Sequence, residues 1–482
     1  MKIINILISC ALALGAVSCD NFLDVRPKAE KLEREMFKNA KGFEDAIYGV
    51  YGSMQSSTLY GRDLLWGVPE VLAQNLNCGS DDLEKLAQYN YNGTEGLKNR
   101  LSAIWKSAYQ TIGYANNILE QLNDWTPEKL PRYNHYKGEM LGVRALLHFD
   151  LLRLYASTRE DASGIPYVTA YSYSVKPFYK VGEVYQFILK DLLEAETLLS
   201  DEEDLLSYPR TDAAYSKFDN YQFTHFNLYA VRALLARVYW MKGDMANAAL
   251  YAKKVIDSGK FPLVGEAEVQ DFLAGVLSPK ETVFGIYSTT YLATATNYLY
   301  NYQSFFSYDP YYDGSGKSHL LPYTKLYTLD APATAQDFRT RWFVEHQGYA
   351  RCLKLVDYYA IEEKVPTSRA QLVSGVTLIH SSEMYLIAAE ALLDTDYAQA
   401  LKYFDLEIAS RGLTTLAARG VILTKDIIYN EYHKEMFGEG QVWFNMKRLN
   451  KDIQSNEESK VIPASDNVYV IPIPEEEYEY RN

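Results

Sequence analysis

Apolar positions three and four apart dominate the first half of the chain. In SAIWKSAYQTIGYANNILEQL, residues 102–122, they fall at Ile104, Ala108, Ile112, Ala115 and Leu119. That spacing puts one apolar stripe on a helix. Residues 138–156 are apolar almost all round, so this helix is expected to be buried on several sides. Asp150 and Arg153 on it are spaced to pair. A further amphipathic helix is predicted over 182–199.

Residues 226–259 read as two helices joined at Lys242-Gly243-Asp244. Gly243 suits a left-handed helix stop, and Asp244 suits the cap of the next helix. Small residues Ala236, Ala248 and Ala252 allow close approach, and the unit resembles a tetratricopeptide repeat. Residues 382–411 repeat the theme, with Asp394-Thr395-Asp396 at the turn. Segment 138–199 reads as a third pair whose connection is enlarged by insertion 157–180. Between the last two pairs the texture changes. Residues 261–378 hold strand-like runs such as ETVFGIY (281–287) among long loops rich in Gly, Ser, Asp and Tyr. The fold class predicted is mainly α: a helical-repeat platform with an inserted, irregular, loop-rich ligand-binding subdomain and a few short strands.

The amino terminus has its own pattern. Lys2 precedes an apolar run, Ile3 to Leu14, and the small residues Gly15-Ala16-Val17-Ser18 lead to Cys19. This is the layout of a secretory signal, too short to span a membrane. Ala16-Val17-Ser18-Cys19 also fits a bacterial lipobox, although the usual Leu at the position of Ala16 is missing. Cys19 is therefore expected to carry lipid, and more than one acyl chain gives a stable anchor. The divisions expected are signal peptide 1–18, lipidated arm 19–36, helical domain 37–260, insertion 261–378, and final repeat with tail 379–482.

Composition narrows the function. The chain has 482 residues, 48% hydrophobic and 23% charged, with a net charge of −14. With no basic run, nucleic acid is excluded as a partner. Of four cysteines, only Cys78 and Cys352 lie outside the signal and lipobox. They are read as core thiols, with one disulfide between them left open. The 42 tyrosines stand out, because each offers a flat apolar face and a polar tip.

The chain resembles the SusD/RagB family of nutrient-binding outer-membrane lipoproteins, on an ordered set of motifs. These are Cys19-Asp20-Asn21-Phe22-Leu23-Asp24 with Pro27, then Trp105, Tyr109, Ile112, Asn116 and Ile118-Leu119. Gly138-Glu139, Arg144-Ala145, Asp150-Leu151, Arg153 and Tyr155 follow, then Gly164-Ile165-Pro166-Tyr167-Val168. Later come Glu383 to Ala391, Glu439-Gly440, Trp443-Phe444, Lys447-Arg448 and Ile471-Pro472-Ile473-Pro474. The chain departs from the family where His380, Tyr432 and Val442 replace Arg and Asn445 replaces Asp. The resemblance implies a cell-surface protein that captures oligosaccharide, or in some branches peptide. It also implies delivery to a partner TonB-dependent (SusC-like) outer-membrane transporter that the helical repeats contact.

The ligand-binding candidates lie in YLATATNYLYNYQSFFSYDPYY, residues 291–312. Sugar rings stack their C–H faces on aromatic rings, while phenol and amide groups bond hydroxyls. Tyr298, Tyr300, Tyr302, Phe305, Tyr308, Tyr311, Tyr312 and Asn301 are the candidates, with most rings of the tract expected to be structural and about three to touch ligand. Tyr89 and Tyr91 in QYNYNGT (88–94) are added, because that stretch supplies aromatics in glycan-binding family members. Trp66 is assigned to packing. GSGKS (314–318) lacks the first glycine and the strand of a phosphate loop. Asp309, Asp313 and Gly314 do not complete an EF-hand, since Tyr311 and Leu320 occupy ligand positions. The seven histidines form neither HExxH nor a close pair, and no GxSxG elbow occurs. No metal, cofactor or catalytic residue is therefore expected. The glutamate run 475–477 is read as a solvated face. A peptide binder of the same architecture, a surface hydrolase and a repeat scaffold without small ligand stay as alternatives.

Overall fold

The computed structural model describes residues 35–76, 80–172, 174–210, 218–268, 275–301, 323–330, 337–346, 349–355, 373–454 and 460–479. At 300–301, 323–325 and 344–351 only the backbone is described. Residues 1–34, including Cys19, lie outside these limits, as do Cys78, Tyr302, Phe305, Tyr308, Tyr311 and Tyr312.

Helices α1 (Ala40–Met54), α2 (Glu95–Gln121), α3 (Tyr133–Tyr155) and α4 (Val181–Leu198) pack each on the next, as the apolar spacing predicts. Helix α3 is buried along nearly its whole length. At Gly142 a β-carbon would stand 2.3 Å from the Phe226 ring, so only glycine allows this approach. Arg144 on α3 grips both Asp191 oxygens on α4 at 2.7 and 2.8 Å, and Asn116 on α2 at 2.9 Å. Asn116 in turn donates to the Val168 carbonyl at 2.9 Å, which fastens the 157–180 connection to the same point. The family motif residues of these segments are thus parts of one polar knot. Asp150 and Arg153 do pair.

Helices α5 (Leu228–Lys242) and α6 (Met245–Ile256) form the predicted hairpin. Gly243 has φ +86°, and the Asp244 carboxylate accepts from Asn247 N at 3.2 Å. Next in the chain are the strands β1 (Val276–Leu277), β2 (Thr282–Tyr287), β3 (Phe343–His346), β4 (Tyr349–Cys352) and β5 (Val373–His380). Strands β1, β5 and β2 make an antiparallel sheet in that order, and β3 pairs with β4. Helices α7 (Ser381–Leu392) and α8 (Tyr397–Ser410) follow, then α9 (Lys425–Met436) and α10 (Val442–Arg448). Strands β6 (Ile453–Gln454) and β7 (Val461–Ile462) close the list. Helix α7 packs on α6 as the next helix of the stack, although the strands and their loops separate the two in sequence. The repeat resumes where it stopped. Arg237 on α5 donates to Glu383 on α7 at 2.9 Å, with both side chains buried. Tyr432, where the family usually has Arg, donates to Glu383 at 3.0 Å. Asn445 accepts from Arg448 at 2.9 Å, and Val442 is packed in the core. Neutral residues therefore fill these positions without leaving a buried charge alone.

A second buried network joins the strands to the platform. Arg411 donates to Glu281, just before β2, at 2.9 and 3.0 Å, and to Glu435 on α9 at 2.6 Å. Arg339 donates to Asp337 at 2.6 Å and to Glu435 at 2.9 Å. Burial, together with Glu431 and Glu435, holds the nearby Glu407 carboxyl well above its usual range. Arg339 and Arg411 beside it pull the other way but do not cancel the shift. The acidic tail run is not merely solvated: Trp105 Nε1 donates to Glu477 at 2.9 Å. Cys352 is a buried free thiol, pushed up to about 12 by burial.

Two predictions follow from these contacts. Arg411→Met leaves Glu281 buried without its cation and Glu435 with Arg339 alone, and should cost about 3–5 kcal/mol. Glu407→Gln removes a carboxyl that its surroundings already push toward the neutral form and should cost less than about 1.5 kcal/mol. Urea unfolding of the two variants checks the difference. The second prediction concerns His148, which burial lowers to about 3. Its Nδ1 lies 2.9 Å from the Arg144 carbonyl, and its Nε2 accepts from Val168 N at 3.0 Å, so the neutral ring fits. A depressed folded value means that the unfolded chain takes up the proton first. Its contribution is full above about pH 6.5 and is lost as pH falls toward 3. The stability gap between wild type and His148→Gln should narrow over that window.

Candidate ligand-binding site

Of the sequence candidates, Tyr89, Tyr91 and Tyr298 have described side chains, and these three are engaged in contacts within the fold. The Tyr91 ring is 5% exposed and its hydroxyl donates to the Val468 carbonyl. Tyr89 donates to the Leu72 carbonyl at 2.7 Å and accepts from Gln74 at 3.2 Å. Tyr291, at the start of the tract, is buried. The Tyr298 ring lies under the Arg62 guanidinium, 4.6 Å from its carbon, and 6.4 Å from the buried Trp66 ring. Arg62 is held by Asp63 at 2.8 Å. Of Tyr300 and Asn301 only the backbone is described, in the short helical turn Asn297–Asn301.

Exposed rings meet elsewhere, around a cleft of about 620 Å³. That volume lies in the usual range for small-ligand sites, about 300–1,000 Å³. Three parts of the chain build it. The end of α1 contributes Tyr48, Tyr51 and Gln55, and the turn before α5 contributes Asn220, Tyr221, Thr224 and His225. The paired ends of β2 and β5 contribute Tyr287 and Ser374. Tyr48, Tyr221 and Tyr287 are 43%, 47% and 56% exposed, unlike the tyrosines described above. Tyr221 has φ +57°, a left-handed conformation that is strained for an aromatic residue. Tyr287 is the one exposed position of its strand, because it is the last residue after a buried run.

Behind the cleft lining, where Tyr51 and His225 point inward, lies a buried polar cluster. His135 and Glu139 stand one turn apart on α3, and His225 reaches the Glu139 carboxylate at 2.7 Å. Tyr51 also donates to Glu139, and Glu202 holds His135 Nδ1. Burial lowers His135, but the hydrogen bonds and charges of Glu139 and Glu202 outweigh it and raise the group to about 9. Sequence inspection missed both cleft and floor. The three exposed tyrosines fall outside the dense tract, and His225 is 86 residues from Glu139. The available signal was the spacing of Tyr48, Tyr51 and Gln55, which is one helix face.

Comparison with known proteins agrees with this architecture. A family profile described as "Starch-binding associating with outer membrane" matches residues 21–220, and one described as "SusD family" matches residues 290–481. The chain belongs to the SusD family. It is 23% identical over 476 residues to SusD-like protein P2 of Formosa agariphila, covering 91% of this chain and 89% of that protein. A SusD superfamily protein from Bacteroides thetaiotaomicron superposes with a TM-score of 0.69 at 21% identity, covering 92% of this chain and 98% of the other. A laminarin-binding SusD-like protein superposes with a TM-score of 0.65 at 19% identity, with the same two coverages. Among the described residues of this SusD-family chain, no helix is long and apolar enough to cross a membrane.

Structural and cleft tyrosines should differ in stability. Tyr91→Phe leaves the buried Val468 carbonyl without its donor and should cost about 1–3 kcal/mol. Tyr287→Ala removes a half-exposed ring and should change stability by no more than about 0.5 kcal/mol. Denaturant midpoints at constant slope give both values.

Proposed function

We propose that this SusD-family chain is a non-enzymatic, lipid-anchored cell-surface binder that captures oligosaccharide and delivers it to a TonB-dependent outer-membrane transporter. The observation that carries the reading is the cleft in which Tyr48, Tyr221 and Tyr287 present half-exposed rings beside Gln55, Asn220 and Thr224. Rings supply stacking faces for sugar C–H groups, and the amides and hydroxyls supply hydrogen bonds that fix orientation. The laminarin-binding SusD-like neighbour supports a glycan. The family profile that matches residues 21–220 supports association with the outer membrane, and Cys19 is the proposed acylation site. The tyrosine tract 298–312 is proposed to extend the ligand surface through Tyr300, Tyr302, Phe305, Tyr308, Tyr311 and Tyr312. An open stacking site releases its ligand readily, as delivery requires.

Calorimetry of the detergent-solubilised full chain against laminarin and starch oligosaccharides, with mixed peptides as comparison, tests this. Saturable heat with a glycan is expected. Tyr287→Ala and Tyr221→Ala should each weaken it about 3- to 10-fold, the loss of one stacking ring. Tyr300→Ala and Tyr308→Ala test the tract in the same way. Heat with peptides alone would replace the glycan reading by the peptide one. Unchanged glycan affinity in both cleft variants would remove the cleft from the site.

A further inference from the structure

The geometry points to a metal site beneath the tyrosine cleft, in which His135, Glu139 and His225 hold one divalent ion of the zinc type. Each residue offers one ligand atom, and these atoms lie within 4.8 Å of one another. All three residues are buried. Two imidazoles and a carboxylate form a donor set suited to zinc, with a fourth position left for water or a ligand oxygen.

Three observations separate this cluster from an ordinary buried ion pair. His135 Nε2 and Glu139 Oε2 face each other at 3.3 Å, and among the described residues neither atom has another partner. Bonds of about 2.0–2.1 Å to a tetrahedral ion set ligand edges of about 3.4 Å, so this edge already has the length required. The remaining contraction falls on His225, which sits in the turn at the cleft wall, not in a long helix. Second, Glu202 is bonded to the other nitrogen of His135. An outer carboxylate in this position fixes the tautomer and keeps Nε2 turned inward once the ion has displaced its proton. Tyr51 likewise supports Glu139 from outside. Third, the charges balance: Glu139 and Glu202 together neutralise one dication, so no net charge is buried. His225 and Tyr51 line the cleft while His135 and Glu139 do not, so the ion's way in runs from the cleft past these two side chains. The spacing of His135 and Glu139, one helical turn, places two ligands on one face of α3.

The test uses the full chain in detergent, stripped with chelator and then given Zn²⁺ or Co²⁺ without any sugar. One Zn²⁺ per chain should survive dialysis, Co²⁺ should give the visible bands of a tetrahedral site, and the melting temperature should rise with metal. His225→Gln should lose the bound ion, and Glu202→Gln should weaken it about 10- to 100-fold. Near-ultraviolet circular dichroism establishes that each variant is folded, and the wild-type measurement stands without them. Retention of less than about a tenth of an equivalent by wild type, with no shift in melting temperature, would overturn the proposal. So would full retention by a folded His225→Gln variant. Neither result bears on sugar binding, which is read separately.

Discussion

The contact on which the rest of the molecule depends is the buried Arg411 guanidinium. It reaches Glu281 ahead of β2, Glu435 on α9 and the Val264 carbonyl before β1. Arg339 repeats the arrangement from the other side through Asp337 and Glu435. Strands whose Phe284, Ile286 and Ile379 already pack in the core are thereby fixed to the helical platform by charge as well. Such a network adds little stability over a well-packed apolar core, but removing one partner is expensive. Its use is positional: only one docking of the strands satisfies every charge. The upward shift of Glu407, caused by burial and by Glu431 and Glu435, shows how closely the charges are balanced.

That docking aligns the cleft. Tyr287 and Ser374 lie at the far ends of β2 and β5, while Glu281 and Ser381 lie at the near ends, joined by a hydrogen bond of 2.9 Å. Asn227, the cap of α5, donates to the Val283 carbonyl at 3.0 Å and holds the sheet against the turn that carries Tyr221. Phe226 and Phe284 close the gap between them, with ring centroids 4.9 Å apart. A charge cluster at one end of two strands therefore determines where a ring stands at the other.

What was legible in the sequence was local. Helix pairs followed from spacings of three and four, and the α5–α6 turn followed from Gly243 and Asp244, because caps and left-handed stops depend on a few neighbouring residues. The insertion was legible as a change of texture, yet its attachment was not, since Arg411 finds Glu281 130 residues away. The glutamates at 475–477 illustrate the same limit. As a charge run they resemble a solvated face, but Glu477 receives the indole of Trp105 from a helix 372 residues earlier. Tyrosines were the hardest to sort. Tyr91 and Tyr287 are alike in sequence, and only tertiary placement decides that one hydroxyl serves the backbone and the other ring meets solvent.

The cleft is also tied together from below, and this bears on how an open site can be selective. Glu139 receives Tyr51 from α1 and His225 from the turn, so two walls converge on one carboxylate carried by the most buried helix. The Tyr51 hydroxyl also accepts the Phe226 backbone amide at 2.8 Å, which fixes the turn to α1. Rings mounted on such a floor do not have to be ordered when ligand arrives. Less entropy is then lost on binding, and a shallow stacking surface can discriminate by the separation of its rings without needing a large buried area. On the proposed reading, selectivity would reside in the placement of Tyr48, Tyr221 and Tyr287, and their exposure would keep affinity weak.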